Sequence, residues 1–240
     1  VGANGGIGFS ATCRLLNGDF FVCATYFKKK NNLEEIKANN KDLSKSLFTK
    51  YLDVRNEAKV AELVMTILNK FKRIDAVIFS VSAEYKYSRA LDSSWDDFNL
   101  HFEVQVKAIH NFIVALQEQI KAQFQIKFIA VLSDSCFGVP PKGFSPYVSA
   151  KYAALGLSKS LAVELAEYGS TFNMISPGMV ETTLLKNLPA KLLELNAHEN
   201  PLKKNAKAGD VSSAISFLCS DKSDYLNGTN IVINGGKIMA

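Results

Sequence analysis

The sequence has few of the features that mark metal-binding, disulfide-linked or membrane proteins. Its cysteines are Cys13, Cys23, Cys136 and Cys219, and they form no CxxC pair. Its histidines, His101, His110 and His198, are equally scattered. This pattern argues against a zinc site and against a disulfide framework. No apolar run reaches the roughly 18 to 20 residues of a membrane span. We therefore expect reduced thiols, no metal and no membrane partner.

The chain also has no large excess of charge of either sign. The formal net charge is +5, and the clearest basic run, Lys28 to Lys30, is short. A nucleic-acid surface normally needs a broader basic stripe with interleaved aromatics, so we expect no nucleic-acid partner. No charged-then-apolar signal segment opens the chain, which makes the cytoplasm the expected location.

The length and composition indicate a folded domain with one core. The chain has 240 residues, of which 48% are hydrophobic and 21% are charged. No Pro-rich linker or low-complexity tract divides it, so we predict a single domain over residues 1–240. The sequence opens at Val1, inside a glycine-rich motif, and we expect a first strand to lie before residue 1.

The opening residues have the composition of a phosphate-binding turn. Glycines stand at Gly2, Gly5, Gly6 and Gly8, and a helical pattern with apolar Ile7 follows. Glycines let the backbone approach a pyrophosphate closely, and a helix amino terminus adds N–H groups and a partial positive charge.

Strand and helix patterns then alternate along the chain. Strand formers occupy residues 20–25, 47–53, 76–81 and 128–132, and amphipathic helical patterns occupy residues 58–71 and 95–119. This order predicts an α/β fold: a three-layer, doubly wound parallel sheet of the Rossmann-like type.

The residues after the second predicted strand indicate which dinucleotide would bind. An acid at that place would hydrogen-bond a ribose hydroxyl, whereas basic residues accommodate a 2′-phosphate. The segment from Thr25 to Lys30 has no acid and carries Lys28 at its end. NADP(H) is therefore favoured over NAD(H), which stays open as the alternative.

Tyr147 and Lys151 form the pair that carries the predicted chemistry. On a helix, a four-residue spacing places both side chains on one face. Ser145 is predicted to cap this helix, Pro146 suits its first turn, and Gly169 can end it. A tyrosine hydroxyl has an unperturbed pKa of about 10, and a neighbouring ammonium lowers that pKa, which favours a proton donor. Hydroxyls at Ser133 and Ser135 leave the preceding strand and can meet a substrate.

Together these residues resemble the classical short-chain dehydrogenase/reductase family along essentially the whole chain. The matching motifs are the GxxxGxG turn over residues 2–8, Asp53-Val54, Tyr147-x-x-x-Lys151 and the PGxVxT-like segment over residues 177–182. The closing FLCSDKSDYLNGTNIVINGG also matches, with Gly228, Gly235 and Gly236 in the expected places.

The resemblance implies a role for each matched residue. Tyr147 would be the acid/base, Lys151 would assist it and bind the nicotinamide ribose, and Ser135 would orient the substrate oxygen, with Ser133 as the alternative. The implied cofactor-binding set is Gly2, Asn4, Gly6, Ile7, Gly8, Lys28, Asp53, Val54, Ser80, Lys151, Pro177, Gly178 and Thr182. The expected activity is hydride transfer between NADP(H) and a carbonyl/alcohol substrate, of which a 3-oxoacyl thioester is one candidate.

The chain departs from the family pattern in ways that leave a second function open. The family's NNAG segment reads Ser80-Val81-Ser82-Ala83, and the helix asparagine of the catalytic set falls on Gln105. The loop from Ser135 to Tyr147 is also short. A nucleotide-binding sensor or scaffold of the same fold, with little or no turnover, is therefore the alternative reading.

The family also predicts a lid and an oligomer. The stretch after Thr182 would cover the substrate with an apolar inner face, formed by Leu184, Leu185, Leu188, Leu192, Leu193 and Leu195. The helices that carry Phe98 to Leu116 and Tyr147 to Leu165 would pair between subunits, which implies a homodimer or homotetramer.

Overall fold

Parallel strands alternate with helices in the structure, a computed structural model that describes residues 1–28, 30–84, 86–182, 185 and 189–239. The strands are β1 (Val22–Tyr26), β2 (Leu47–Tyr51), β3 (Ala76–Phe79), β4 (Lys127–Val131), β5 (Thr171–Pro177) and β6 (Asn230–Ile233). The helices are α1 (Gly6–Leu16), α2 (Asn31–Asn39), α3 (Lys41–Lys45), α4 (Glu57–Phe71), α5 (Trp95–Phe102), α6 (Ala108–Ala115), α7 (Gln117–Lys121), α8 (Ser145–Ala166), α9 (Ala190–Glu199) and α10 (Ala208–Cys219).

The strands form two parallel sheets that the start of the chain connects. Strand β1 pairs with β2, and β3, β4, β5 and β6 pair in that order. The amino group of Val1 donates to the carbonyl of Ile78 at 2.7 Å, and the N–H of Ala3 donates to the carbonyl of Thr25 at 2.8 Å. Residues 1–3 therefore lie between β1 and β3, at the position where the sequence predicts the first strand to end.

Helices cover both faces of the larger sheet and give the three predicted layers. Successive strand residues point to opposite faces: Phe128 lies in the core beneath α4, α6 and α8, while Ile129 lies in the core beneath α1 and α10. Phe172 and Ile175 extend the same two cores on β5. The predicted α/β class and parallel sheet are confirmed.

Helix α8 begins and ends close to the predicted residues but is capped differently. Ser145 is already helical, the N-cap residue is Phe144, and no side chain caps this end, so the predicted cap at Ser145 is wrong. Pro146 occupies the first turn as predicted. Gly169 has φ of 73° and follows the helix end, where its lack of a Cβ permits this conformation.

The predicted helix over residues 95–119 is interrupted. A π-helical turn over Glu103–Lys107 separates α5 from α6, and α7 follows as a further short helix. Hydrophobic periodicity reports which side of a segment is buried, but it cannot show where the hydrogen bonds change from the i+4 to the i+5 pattern. Gln105, a predicted site residue, lies within this π turn.

Candidate active site

A large cavity opens beyond the carboxyl ends of β3, β4 and β5, where ligands bind in open parallel sheets. Its volume is about 960 Å³. The predicted site residues that line it are Gly6, Ile7, Ser80, Ser135, Tyr147, Lys151, Pro177, Gly178 and Thr182. Residues that lie far apart in the sequence thus come together in one cavity because the strands that carry them end at the same edge.

The glycine turn presents backbone rather than side chains to this cavity. Gly2 has φ of 76°, and a Cβ added to Gly8 would lie 2.2 Å from the carbonyl oxygen of Gly2. A Cβ on Gly6 would lie 2.4 Å from the side chain of Thr182. The first turn of α1 carries no acidic residue. The turn therefore leaves a positively polarised helix end open, which fits a pyrophosphate.

Four predicted cofactor-binding residues, Asn4, Lys28, Asp53 and Val54, are not among the residues that line the cavity. The side-chain oxygen of Asn4 accepts from the N–H of Leu33 at 3.4 Å, which holds the turn against α2. Lys28 is 3.7 Å from Glu84 in an exposed ion pair. The carbonyl of Val54 accepts from the buried amide of Asn111 at 2.9 Å.

Asp53, the fourth of these residues, is engaged by a cation. Its carboxylate lies 2.7 Å from the guanidinium of Arg55, and that hydrogen bond lowers the pKa of Asp53. Lys29, the middle residue of the basic run, lies outside the described residues.

Tyr147 and Lys151 stand one turn apart on α8, as their spacing predicts. The Nζ atom of Lys151 lies 5.6 Å from the centroid of the Tyr147 ring and donates to the carbonyl of Val131 at 2.7 Å. Lys151 is 4% exposed, and this burial lowers its pKa to about 8. At neutral pH the ammonium is thus still charged, and it lies where its field acts on the phenol.

The two candidate serines differ in their hydrogen bonds. The hydroxyl oxygen of Ser133 accepts from the backbone N–H of Ser135 at 3.1 Å. The hydroxyl of Ser135 is buried and has no hydrogen-bond partner within the part of the chain that the structure describes. Both residues line the cavity. Of the two hydroxyls, that of Ser135 is the one available to form a hydrogen bond with a ligand.

Gln105 forms a hydrogen bond with a histidine that the sequence analysis did not predict as a site residue. The amide nitrogen of Gln105 lies 3.0 Å from Nδ1 of His101, and both side chains are buried. The His101 ring packs edge-on against the Tyr147 ring with centroids 5.9 Å apart. The i, i+4 spacing of His101 and Gln105 on one helical pattern is the sequence signal that could have found this contact.

Further residues line the cavity without having been predicted. Asp134 stands between the two serines, and burial raises the pKa of its carboxyl. Lys237 and Ile238 reach the cavity from the segment after β6. The position of Asp134 beside two candidate serines was a usable signal, whereas nothing in the local sequence connects residues 237 and 238 to Tyr147.

The sequence leads us to expect neither a metal site nor a membrane span, and the structure bears on both through its side-chain clusters and its helices. Within the described ranges, no group of three or more His, Cys, Asp or Glu side chains is arranged to hold a metal ion. None of the helices in those ranges is both long enough and apolar enough to span a bilayer.

A family model described as enoyl-(acyl carrier protein) reductase matches residues 2–237. The chain belongs to the short-chain dehydrogenase/reductase family of oxidoreductases. The 3-oxoacyl-[acyl-carrier-protein] reductase FabG of Staphylococcus epidermidis is 27% identical over 242 residues, which cover 100% of this chain and 97% of that protein. Oxidoreductase UcpA of Escherichia coli O157:H7 is 32% identical over 195 residues, or 78% of this chain and 74% of that protein.

Solved structures of this family match the fold closely. The structure described as ElxO with NADP bound has a TM-score of 0.88 at 25% identity and covers 99% of this chain and 96% of its own. Acetoin dehydrogenase YohF from Salmonella typhimurium has a TM-score of 0.83 at 22% identity, with 98% and 94% coverage, and supports the fold alone. The short-chain dehydrogenase/reductase arrangement of strands and helices therefore holds along almost the whole chain.

Because the ammonium of Lys151 is buried, we expect this residue to lower the free energy of unfolding. The pKa of this group falls from 10.5 to about 8, so the unfolded chain binds the proton more tightly between these values, and stability rises with pH across that window. Replacing Lys151 with Met should raise the free energy of unfolding by about 1 to 3 kcal/mol at pH 7.5, after allowance for the lost hydrogen bond.

Urea denaturation of both proteins at pH 7.5 and pH 10 measures this effect. The advantage of Lys151→Met should shrink at pH 10, and Lys159→Met, on the exposed side of α8, should change little at either pH. A Lys151→Met protein that is less stable than the wild type at pH 7.5 would contradict this account.

Proposed function

We propose that the protein is an NADP(H)-dependent oxidoreductase that interconverts a carbonyl group and an alcohol, with Tyr147 as the acid/base. The observation that carries this proposal is the meeting of Tyr147, Lys151 and Ser135 on the wall of one cavity, which the glycine turn also borders. The Ser135 hydroxyl has no hydrogen-bond partner among the described residues. A proton donor, a cation and a hydrogen-bonding group placed together can support carbonyl reduction when a hydride source is bound.

The described residues fit a dinucleotide. A Cβ on Gly6 would overlap Thr182 and a Cβ on Gly8 would overlap the carbonyl of Gly2, so only main chain fits at the start of α1, where a pyrophosphate would bind. Lys151, Pro177, Gly178 and Thr182 line the same cavity as Gly6. A nicotinamide bound there supplies or accepts the hydride. Lys151 would hydrogen-bond its ribose, and Thr182 and Ser80 would flank the bound cofactor.

In the direction of reduction, the proton comes from Tyr147. Ser135 would donate a hydrogen bond to the carbonyl oxygen and hold it beside the phenol. Tyr147 would then give its proton to that oxygen while the carbon is reduced, which leaves a phenolate. The ammonium of Lys151 favours the phenolate by its charge, and its burial keeps that charge unscreened. Alcohol oxidation runs the same steps in reverse.

Charge near the adenosine end supports NADP(H) as the cofactor. Lys28 and Lys30 present exposed ammonium groups close to the end of β1. Asp53 is held by Arg55, and Asn4 holds the turn through Leu33. The ElxO structure carries NADP, which agrees with this assignment, while NAD(H) stays the alternative that a binding measurement distinguishes.

The cavity walls support a substrate with an apolar portion. Apolar side chains form part of the cavity wall: Val139, Phe144, Leu185, Leu192 and Ile238. Leu185 and Leu192 belong to the predicted lid, of which Leu184 and Leu188 lie outside the described residues. A 3-oxoacyl thioester fits this wall, and the FabG relative is named as a reductase of such substrates.

Exposed apolar side chains support an oligomer. Val163 on α8 is 77% exposed and Trp95 on α5 is 70% exposed. We expect light scattering at micromolar concentration to give the mass of a homodimer or homotetramer, and Val163→Asp to shift it towards the monomer. A monomeric mass for the wild type would contradict the expectation.

Substitution of Tyr147 tests the reaction. Tyr147→Phe should lower kcat by about 10²- to 10⁴-fold, because it removes the transferred proton, while the dissociation constant of NADPH stays within about twofold. The measurement is NADPH oxidation over a panel of carbonyl compounds, including 3-oxoacyl thioesters, together with fluorescence titration of NADPH.

Tyr152→Phe is the matched control, since Tyr152 lies on the same helix and is half exposed. It should retain full activity. If Tyr147→Phe keeps most of the wild-type rate, Tyr147 is not the acid/base. If the wild type binds NADPH but reduces nothing in the panel, the sensor or scaffold alternative is favoured.

Substitution of Lys28 tests the choice of cofactor. Lys28→Ala should weaken NADPH binding by up to about fivefold, the effect of removing one exposed charge from a phosphate, and leave NADH binding unchanged. Fluorescence quenching with both cofactors measures this, with Lys159→Ala as a control of equal charge change. Tighter binding of NADH than of NADPH by the wild type would reject the NADP(H) assignment.

A further inference from the structure

Tyr147 lies between two cavities. On one side it lines the large cavity already described. On the other it lines a smaller cavity of about 210 Å³, whose wall also includes Glu84, Lys86, Asp97 and His101. Lys86 is largely exposed and forms an ion pair with Asp97 at 3.0 Å. The small cavity therefore runs from the proposed acid/base to charged groups at the protein surface.

His101 is the ionisable ring at the inner end of this small cavity. It is 6% exposed, and its ring lies edge-on to that of Tyr147 at 5.9 Å between centroids. Its Nδ1 atom is engaged by Gln105. The Nε2 atom is the one left to exchange protons.

The side-chain oxygen of Gln105, Oε1, is buried without a hydrogen bond from the described residues. The residue is 4% exposed. An amide presents a donor and an acceptor at the same end. Its nitrogen can donate to a bare Nδ1, and after rotation its oxygen can accept from a protonated Nδ1. Gln105 can thus hold the imidazole in either tautomer.

We propose that His101 is a proton-relay residue that returns the proton of Tyr147 from solvent in the small cavity, with Gln105 as its positioning residue. The inference rests on the proposed function, since it needs Tyr147 to lose a proton in each reduction. With Nδ1–H held by Oε1 of Gln105, Nε2 takes a proton that bulk solvent delivers through water in the small cavity. The imidazolium gives that proton to the phenolate oxygen and returns to neutral imidazole, so one solvent proton is consumed for each carbonyl reduced.

The charges around His101 suit a transient imidazolium. Burial lowers its pKa most, the ammonium of Lys151 on α8 lowers it further, and Asp97 on its own helix raises it. Glu84 and Lys86 face the small cavity from the loop after β3. Because the pKa of the ring is lowered, it holds an added proton more weakly than a free imidazole and can pass that proton on.

The test is a kinetic comparison of His101→Phe with wild-type enzyme, using NADPH and the best carbonyl of the panel. Phenylalanine keeps the aromatic packing against Tyr147 but has no ring nitrogen. We expect kcat to fall about tenfold or more, with the KM of the carbonyl and the dissociation constant of NADPH within about twofold. His101→Ala should regain at least part of the lost kcat when imidazole is added, because the enlarged small cavity admits it.

Two controls separate a relay from a structural role. His110→Phe, which changes an exposed histidine on α6, should leave kcat unchanged. His101→Gln, judged folded by circular dichroism, should be as slow as His101→Phe because it cannot ionise. A kcat within twofold of the wild type in either folded His101 variant overturns the relay. So does a loss of kcat that imidazole does not restore in His101→Ala.

Failure of the relay can be distinguished from failure of the proposed function. An active wild type with fully active His101 variants removes only the relay. A wild type that binds NADPH but reduces no carbonyl removes the proposed function and, with it, the need for a relay.

Discussion

A buried ammonium is the constraint around which the site is arranged. Lys151 satisfies one of its donors at the carbonyl of Val131, at the end of the central strand β4. The hydrogen bond ties α8 to the edge of the sheet at the place where the cavity opens. Tyr147, one turn earlier on the same helix, is thereby fixed above the strand ends. The charge costs stability because it is desolvated, and the same desolvation makes it effective on the phenol.

The rest of the cavity depends on close backbone approach. At Gly8 a single added carbon would overlap the carbonyl of Gly2, and at Gly6 it would overlap Thr182. The glycine turn therefore packs tightly on itself and, at Gly6, directly against the segment after β5. One part of the site is thus made of main chain and binds by shape and partial charge, whereas the part at Tyr147 is made of side chains and transfers protons.

One departure from the family pattern expected from the sequence lies beside Tyr147. Gln105, which the sequence resemblance aligns with an asparagine of the family, lies in a π turn and bonds to His101. π turns of this kind often occur at functional sites. The amide of Gln105 thus holds an ionisable ring beside the tyrosine.

The sequence by itself determined the features that depend on neighbours along the chain. The glycine turn, the alternation of strands and helices and the spacing of Tyr147 and Lys151 are local, so propensity and periodicity were enough to predict them. Only the tertiary structure decided which serine hydroxyl has no hydrogen-bond partner among the described residues, that Arg55 holds Asp53, that Gln105 bonds to His101 and that Lys237 reaches the cavity. The contact of Lys237 joins elements far apart in sequence, while those of Arg55 and Gln105 depend on side-chain orientation. Spacing along the chain makes the two short-range contacts possible, but only the side-chain orientations decide that they form.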